Sequence, residues 1–148
     1  MKYKIREENI RHWMVEESGT LISADPVQAV DRVAKGLPTG EFDALRGMLG
    51  LTVEEMAHKV GLSVATLSRR RAQDQPLDPQ HSDRLMRYAR LYWLAVGLFE
   101  GDVASAREWL KRPAISLGGR KPLDFAETEV GAREVEDLIG RLEYGIYV

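Results

Sequence analysis

Few residues in this chain could do covalent chemistry, and they are scattered. His12, His58 and His81 fall in separate segments with no metal-ligand spacing. Ser63 and Ser68 have no neighbouring base to activate them. The chain has no cysteine, so it offers neither a thiol nucleophile nor a disulfide framework. The Glu54–Glu55 pair is fully explained as a helix cap and a partner for the helix dipole. Gly118–Gly119 followed by Arg120–Lys121 could hold a phosphate, but the strand that leads into a phosphate loop is missing. No catalytic residue, cofactor or metal is therefore expected. What remains is binding chemistry: an arginine run at Arg69–Arg71, and an acidic stretch that ends in Tyr144 and Tyr147.

These groups must be positioned by helices, because nearly every segment reads as helical. Over residues 1–24, Ile10, Trp13 and Met14 have helical spacing, with a possible short extended piece at 21–23. Asp25 then serves as an N-cap, Pro26 as a first helical residue, Gln28 as a capping-box partner and Gly36 as a stop. Val27, Val30, Val33 and Ala34 give that helix one apolar face. Thr39 is expected to cap a helix carrying Phe42, Leu45, Met48 and Leu49, which Gly50 ends. Thr52 and Glu55 match a capping box for a helix to about Lys59.

After a linker at 75–79, the longest helix runs from Pro79 to about Phe99. Its residues Leu85, Tyr88, Ala89, Tyr92, Trp93, Val96 and Phe99 cover more than one side. Asp102 caps a short helix that ends near Lys111. A loop leads to Pro122, and Thr128 caps a last helix with Val130, Val135, Leu138, Ile139 and Leu142 along one side.

Leu51 to Arg71 has the spacing of a DNA-reading helix-turn-helix. Ala57 is the small residue where the two helices cross, and Gly61, four positions on, tolerates a left-handed turn. Met56, Val60, Leu62 and Leu67 fall where the inter-helix core belongs. Ser63 opens the second helix. Ser63, Val64, Ala65 and Ser68 would lie nearest the bases, with Arg69 reaching guanine or phosphate and Thr66, Arg70 and Arg71 meeting phosphates. Arg70 stands where such motifs are usually apolar, so either the helix packs differently or the arginine stem is buried along the surface. The small polar reading residues predict modest affinity per copy, hence a dimer on a palindromic site.

The C-terminal stretch is chemically distinct. From Leu123 onward, Asp124, Glu127, Glu129, Glu134, Glu136, Asp137 and Glu143 face only Arg133 and Arg141. A basic middle and an acidic end suggest two different partners, the alternative being ordinary solvated helix surface. Gly131, Gly140 and Gly145 weaken a helix by up to about 1 kcal/mol each relative to alanine, and such glycines persist where a backbone must approach something closely. Tyr144 and Tyr147 are rigid amphipathic groups of the kind found at interface centres. The alternative is that Tyr144, Ile146, Tyr147 and Val148 dock back onto the Tyr88, Tyr92 and Trp93 surface as core.

Gly36-Leu37-Pro38, the helix-turn-helix ending in Leu67-Ser68-Arg69-Arg70-Arg71, and the end PLDFAETEVGAREVEDLIGRLEYGIYV together resemble the Xre/MbcA/ParS antitoxins over roughly residues 25–148. The end motif is the more selective part. The resemblance implies an all-α fold with an N-terminal helical segment at 1–38, a Cro/Xre-like helix-turn-helix core at 39–76 and a C-terminal toxin-binding domain at 77–148. It also implies an antitoxin that occludes the active site of a RES-type toxin, one that consumes NAD or transfers its ADP-ribose, and that represses its own operon. The toxin-contacting residues would be Arg133, Glu136, Arg141, Glu143, Tyr144, Gly145, Ile146, Tyr147 and Val148. The other reading is an Xre-family transcriptional regulator whose C-terminal domain only dimerises or senses a ligand.

The chain's 148 residues can bury a core without staples, and its 44% apolar and 30% charged composition marks a globular rather than a disordered chain. No apolar run approaches the roughly 20 residues that span a bilayer, and the N-terminus lacks a signal pattern, so a cytoplasmic location is expected. The expected partners are the toxin, operator DNA and a second copy. The copy would bind through the broad Leu85–Phe99 surface or the N-terminal helices.

Overall fold

The computed structural model describes residues 26–145. The expectations for residues 1–25, including the Asp25 cap, and for Ile146, Tyr147 and Val148 lie outside the described residues. The fold is all-α. Its elements are α1 (Pro26–Lys35), α2 (Thr39–Leu49), α3 (Val53–Val60), α4 (Val64–Ala72), α5 (Pro79–Leu98), α6 (Val103–Leu110), a 3-10 turn at Ile115–Leu117, α7 (Pro122–Phe125) and α8 (Glu129–Glu143). The chain divides into two compact units between Ala89 and Arg90, inside α5.

In the first unit, α1 and α2 are tied by an ion pair between Arg32 and the buried carboxylate of Glu41. Gly36 makes the turn between them with φ +92°, and a side chain there would collide with the Leu77 carbonyl. The space is that tight because the chain segments around Leu37 and Leu77 run side by side. The Leu77 amide donates to the Leu37 carbonyl at 2.9 Å, and the Leu37 amide donates to the buried Ser82 hydroxyl at 2.8 Å. Around this seam, Phe42, Leu45 and Leu49 of α2 pack with Met56, Ala57 and Val60 of α3 and Leu67 of α4, α2 touching both partners.

Several caps form as the residue types dictate. Thr52 and Glu55 make both bonds of the capping box, and Ser63, Asp102 and Thr128 each accept from the amide three residues on. The Ser105 hydroxyl and amide both donate to the Asp102 carboxylate and hold it below the usual carboxylate range. Its contribution to stability is therefore complete above the unfolded pKa and is lost as the pH falls through the folded one. Thr39 is not a cap. It is the first residue of α2, and Pro38 precedes it in extended conformation with no side-chain bond.

The apolar surface of α5 is the main departure from expectation. Leu85, Tyr88 and Ala89 are buried in the first unit, and Leu91, Tyr92, Trp93, Ala95 and Val96 in the second, with Tyr92 edge-on to Trp93 at 4.9 Å. The surface offered above as a dimer interface is already used within the chain. Re-exposing it would cost about 1.5–3 kcal/mol for each large side chain. By contrast, Val27 and Val30 of α1 are each 67% exposed.

In the second unit, α6 contacts α7, and α7 contacts α8. Leu110, Leu117, Leu123, Ala132, Val135, Leu138 and Ile139 form its core. Val130 was expected with them but is 74% exposed, because five residues of helix rotate it about 140° from Val135.

Ser82 is fully buried at this seam. Ser82→Ala leaves the buried Leu37 amide without an acceptor, an expected cost of about 1–3 kcal/mol. Urea unfolding should show a lower midpoint with an unchanged slope.

Candidate DNA and toxin interfaces

The helix-turn-helix is built as its spacing requires. Met56, Val60, Leu62 and Leu67 are all buried, and Ala57 is 2% exposed at the contact of α3 with α4. Gly61 has φ +76°, and the Leu62 amide reaches back to the Ala57 carbonyl at 2.8 Å, closing the end of α3. Two side chains of α5 then grip this turn. Arg84 donates to the Val60 carbonyl at 3.2 Å, and the His81 ring lies 3.2 Å from the Gly61 carbonyl. These carbonyls have no partner within their own helix, so α5 supplies one. Sequence reading missed both residues. Their spacing placed them on a helix but gave no sign of which face met the turn.

The expected reading residues do not all stand in the same condition. Val64, Ala65, Ser68 and Arg69 are exposed on α4, and Arg69 has no ion pair among the described residues. The Ser63 and Thr66 hydroxyls are bonded to each other at 2.8 Å and serve the cap. Arg70 is half-buried and donates to the Pro76 carbonyl at 2.6 Å, fixing the chain beyond α4. That accounts for an arginine at an ordinarily apolar position: the stem packs and the head ties off a loop. Arg71 pairs with Asp43 of α2. The run of three thus divides into one arginine directed to solvent and two with intramolecular partners.

The last helix presents a different surface. Its inner side carries Ala132, Val135, Leu138 and Ile139, all buried. Around its outer side lie Val130, Arg133, Glu134 and Asp137, then Gly140, Arg141 and Tyr144. Arg133 pairs with Glu129 one turn back, and Glu136 pairs with Arg90 of α5. Glu134 and Asp137 are exposed and have no ion pair among the described residues. Tyr144 is 68% exposed, so it does not dock back onto the aromatic core as the alternative reading required.

Two of the three glycines have internal explanations. Gly131 is buried where α8 starts against α7, and any side chain there would collide with the Phe125 carbonyl. Gly145, at φ +74°, terminates α8 with its amide on the Leu142 carbonyl at 3.2 Å, so it stops the helix rather than weakening it. Arg120 lies over the Phe125 ring at 5.7 Å, which gives that arginine a structural neighbour beside Gly118–Gly119. No helix among the described residues is long and apolar enough to cross a membrane.

Residues 28–90 match the antitoxin Xre-like helix-turn-helix domain, and residues 94–145 match the antitoxin Xre/MbcA/ParS C-terminal toxin-binding domain. Over 118 residues the chain is 37% identical to an antitoxin Xre of Yersinia enterocolitica, an alignment covering 80% of each. The chain belongs to the Xre antitoxin family. This antitoxin is also 35% identical over 121 residues to an antitoxin Xre of Photorhabdus laumondii, covering 82% of this chain and 74% of that one. A Sphingobium protein named Prs ADP-ribosylating antitoxin is 26% identical over 139 residues, 86% of this chain and 85% of its own length. The two family matches meet near the division inside α5, so the antitoxin pairs a DNA-binding helix-turn-helix domain with a toxin-binding domain.

Arg69 is an exposed cation of α4 with no ion pair among the described residues. Arg69→Ala should weaken binding to the promoter DNA upstream of the gene and lower the salt-dependence slope by about 1, leaving unfolding unchanged. Arg70→Ala should instead lower the unfolding midpoint, because it releases the Pro76 carbonyl.

Proposed function

We propose that this antitoxin neutralises a RES-type toxin, one that consumes NAD or transfers its ADP-ribose, by laying the end of its last helix and the residues that follow over the toxin's active site. The observation that carries this reading is Tyr144. It is a large aromatic left 68% exposed at the end of a helix whose opposite side is buried. An exposed tyrosine one turn from Gly140, with the exposed carboxylates of Glu134 and Asp137 on the same side and without an ion pair among the described residues, has the make-up of an interface centre. A cleft that binds the anionic pyrophosphate of NAD presents positive potential, and the net acidic last helix is complementary to it. The name of the Sphingobium relative, Prs ADP-ribosylating antitoxin, supports the same class of target.

In this proposal the contact residues are Arg133, Glu136, Arg141, Glu143, Tyr144 and Gly145, continuing through Ile146, Tyr147 and Val148. Glu136 acts after release from Arg90. The helix-turn-helix represses the antitoxin's own operon from the cytoplasm. Val64, Ala65 and Ser68 face the bases with Ser63, Arg69 reaches guanine or phosphate, and Thr66 meets a phosphate, joined by Arg70 and Arg71 after release from Pro76 and Asp43. Binding as a homodimer sets two such helices one turn of DNA apart, and the exposed Val27 and Val30 of α1 are the surface left for that contact once α5 is buried.

The test is growth of cells expressing the product of the adjacent gene. The full chain should restore growth. A chain ending at Glu143 should not, while still binding promoter DNA with undiminished affinity. Protection by the shortened chain would contradict the plug.

A further inference from the structure

Gly140 is the one glycine inside α8 that the described residues do not explain. It occupies the interior of the helix, where glycine is the least favourable residue after proline. A Cβ placed on it would meet nothing within 4 Å, whereas Gly131 in the same helix is forced by the Phe125 carbonyl. Its φ does not require glycine either, since the positive-φ glycines lie elsewhere. The described part of the molecule therefore accommodates alanine at 140, which would be the more stable choice.

The surroundings of Gly140 say what uses the space. Looking down α8, residues 133, 137, 140 and 144 fall in one stripe, with Val130 beside it. Val130 and Tyr144, at the two ends of this stripe, are two of the few large apolar side chains left exposed among the described residues. Between them, Asp137 and Glu134 are exposed carboxylates without an ion pair there. Arg141, next to Gly140, is half-buried, and its Nε is buried without a hydrogen-bond partner. Arg133 of this face is held by Glu129, so Glu134 and Asp137 outnumber Arg141 there. A face with apolar ends, that slight negative excess and a central gap the width of one side chain fits a segment that comes within backbone distance and brings cations.

We infer that the outer face of α8 around Gly140 is a docking groove for the toxin, in which a basic segment of the toxin crosses α8 directly over Gly140. This rests on the toxin-binding reading and deepens it: the contact is helix-flank as well as tail. A second copy of this chain is a poorer occupant, because it would set the same net negative helix against itself.

The experiment compares the full-length chain with Gly140→Ala and Gly140→Leu, titrating each with the purified product of the adjacent gene. Because the site is open, both variants should fold, and Gly140→Ala should melt about 3 °C higher than the parent. Its affinity should nevertheless fall about tenfold, and Gly140→Leu should bind at least a hundredfold more weakly, a combination that a purely structural glycine cannot produce. Promoter binding should be unchanged in both. Binding by both variants as tight as the parent's overturns the groove and leaves the toxin-binding reading intact. A lower melting temperature for Gly140→Ala overturns the premise that the space is open. Failure of the parent itself to bind overturns both readings together. Loss of self-association in Gly140→Leu, with toxin binding retained, would assign the face to a second copy and likewise overturn the groove.

Discussion

The structure depends on the burial of α5. A helix that is apolar on more than one side has no stable place at a surface, and Leu85, Tyr88, Ala89, Leu91, Tyr92, Trp93, Ala95 and Val96 are all buried. Three of its polar side chains are used as hooks on neighbouring backbone: Ser82 holds the Leu37 amide, Arg84 the Val60 carbonyl, and His81 approaches the Gly61 carbonyl. The apolar surface thus supplies the driving force and the polar hooks supply register. The turn of the helix-turn-helix is held by an element outside that motif, and the geometry presented to DNA depends on residues that never face it.

The same division of labour organises the second unit. Its inner side chains make a small core, and the outer side of α8 keeps features that a free surface has no need of, an exposed tyrosine and a helix-interior glycine. A protein held only to stability would lose both. In our proposal both serve a partner, and residues 94–145 match a toxin-binding domain.

Much of this was legible in the sequence because it is local. Caps at Thr52, Ser63, Asp102 and Thr128, the left-handed turn at Gly61 and the core positions of the helix-turn-helix follow from residue type and spacing within a few residues. What could not be read is what depends on distant partners. The broad face of α5 signalled burial but not whether by the same chain or another. Gly131 and Gly140 are identical in a sequence, and only the Phe125 carbonyl separates one role from the other. Arg69, Arg70 and Arg71 likewise look like one basic run until Pro76 and Asp43 claim two of them.

The central claim is that one chain joins a toxin-binding unit to a DNA-binding unit. Its most direct test is to co-express the tagged chain with the product of the adjacent gene, purify it and determine the mass of what elutes. The account predicts a stable complex of the two proteins whose mass fixes the ratio of antitoxin to toxin. A lone homodimer that still shifts its own promoter would contradict it and leave a simple repressor.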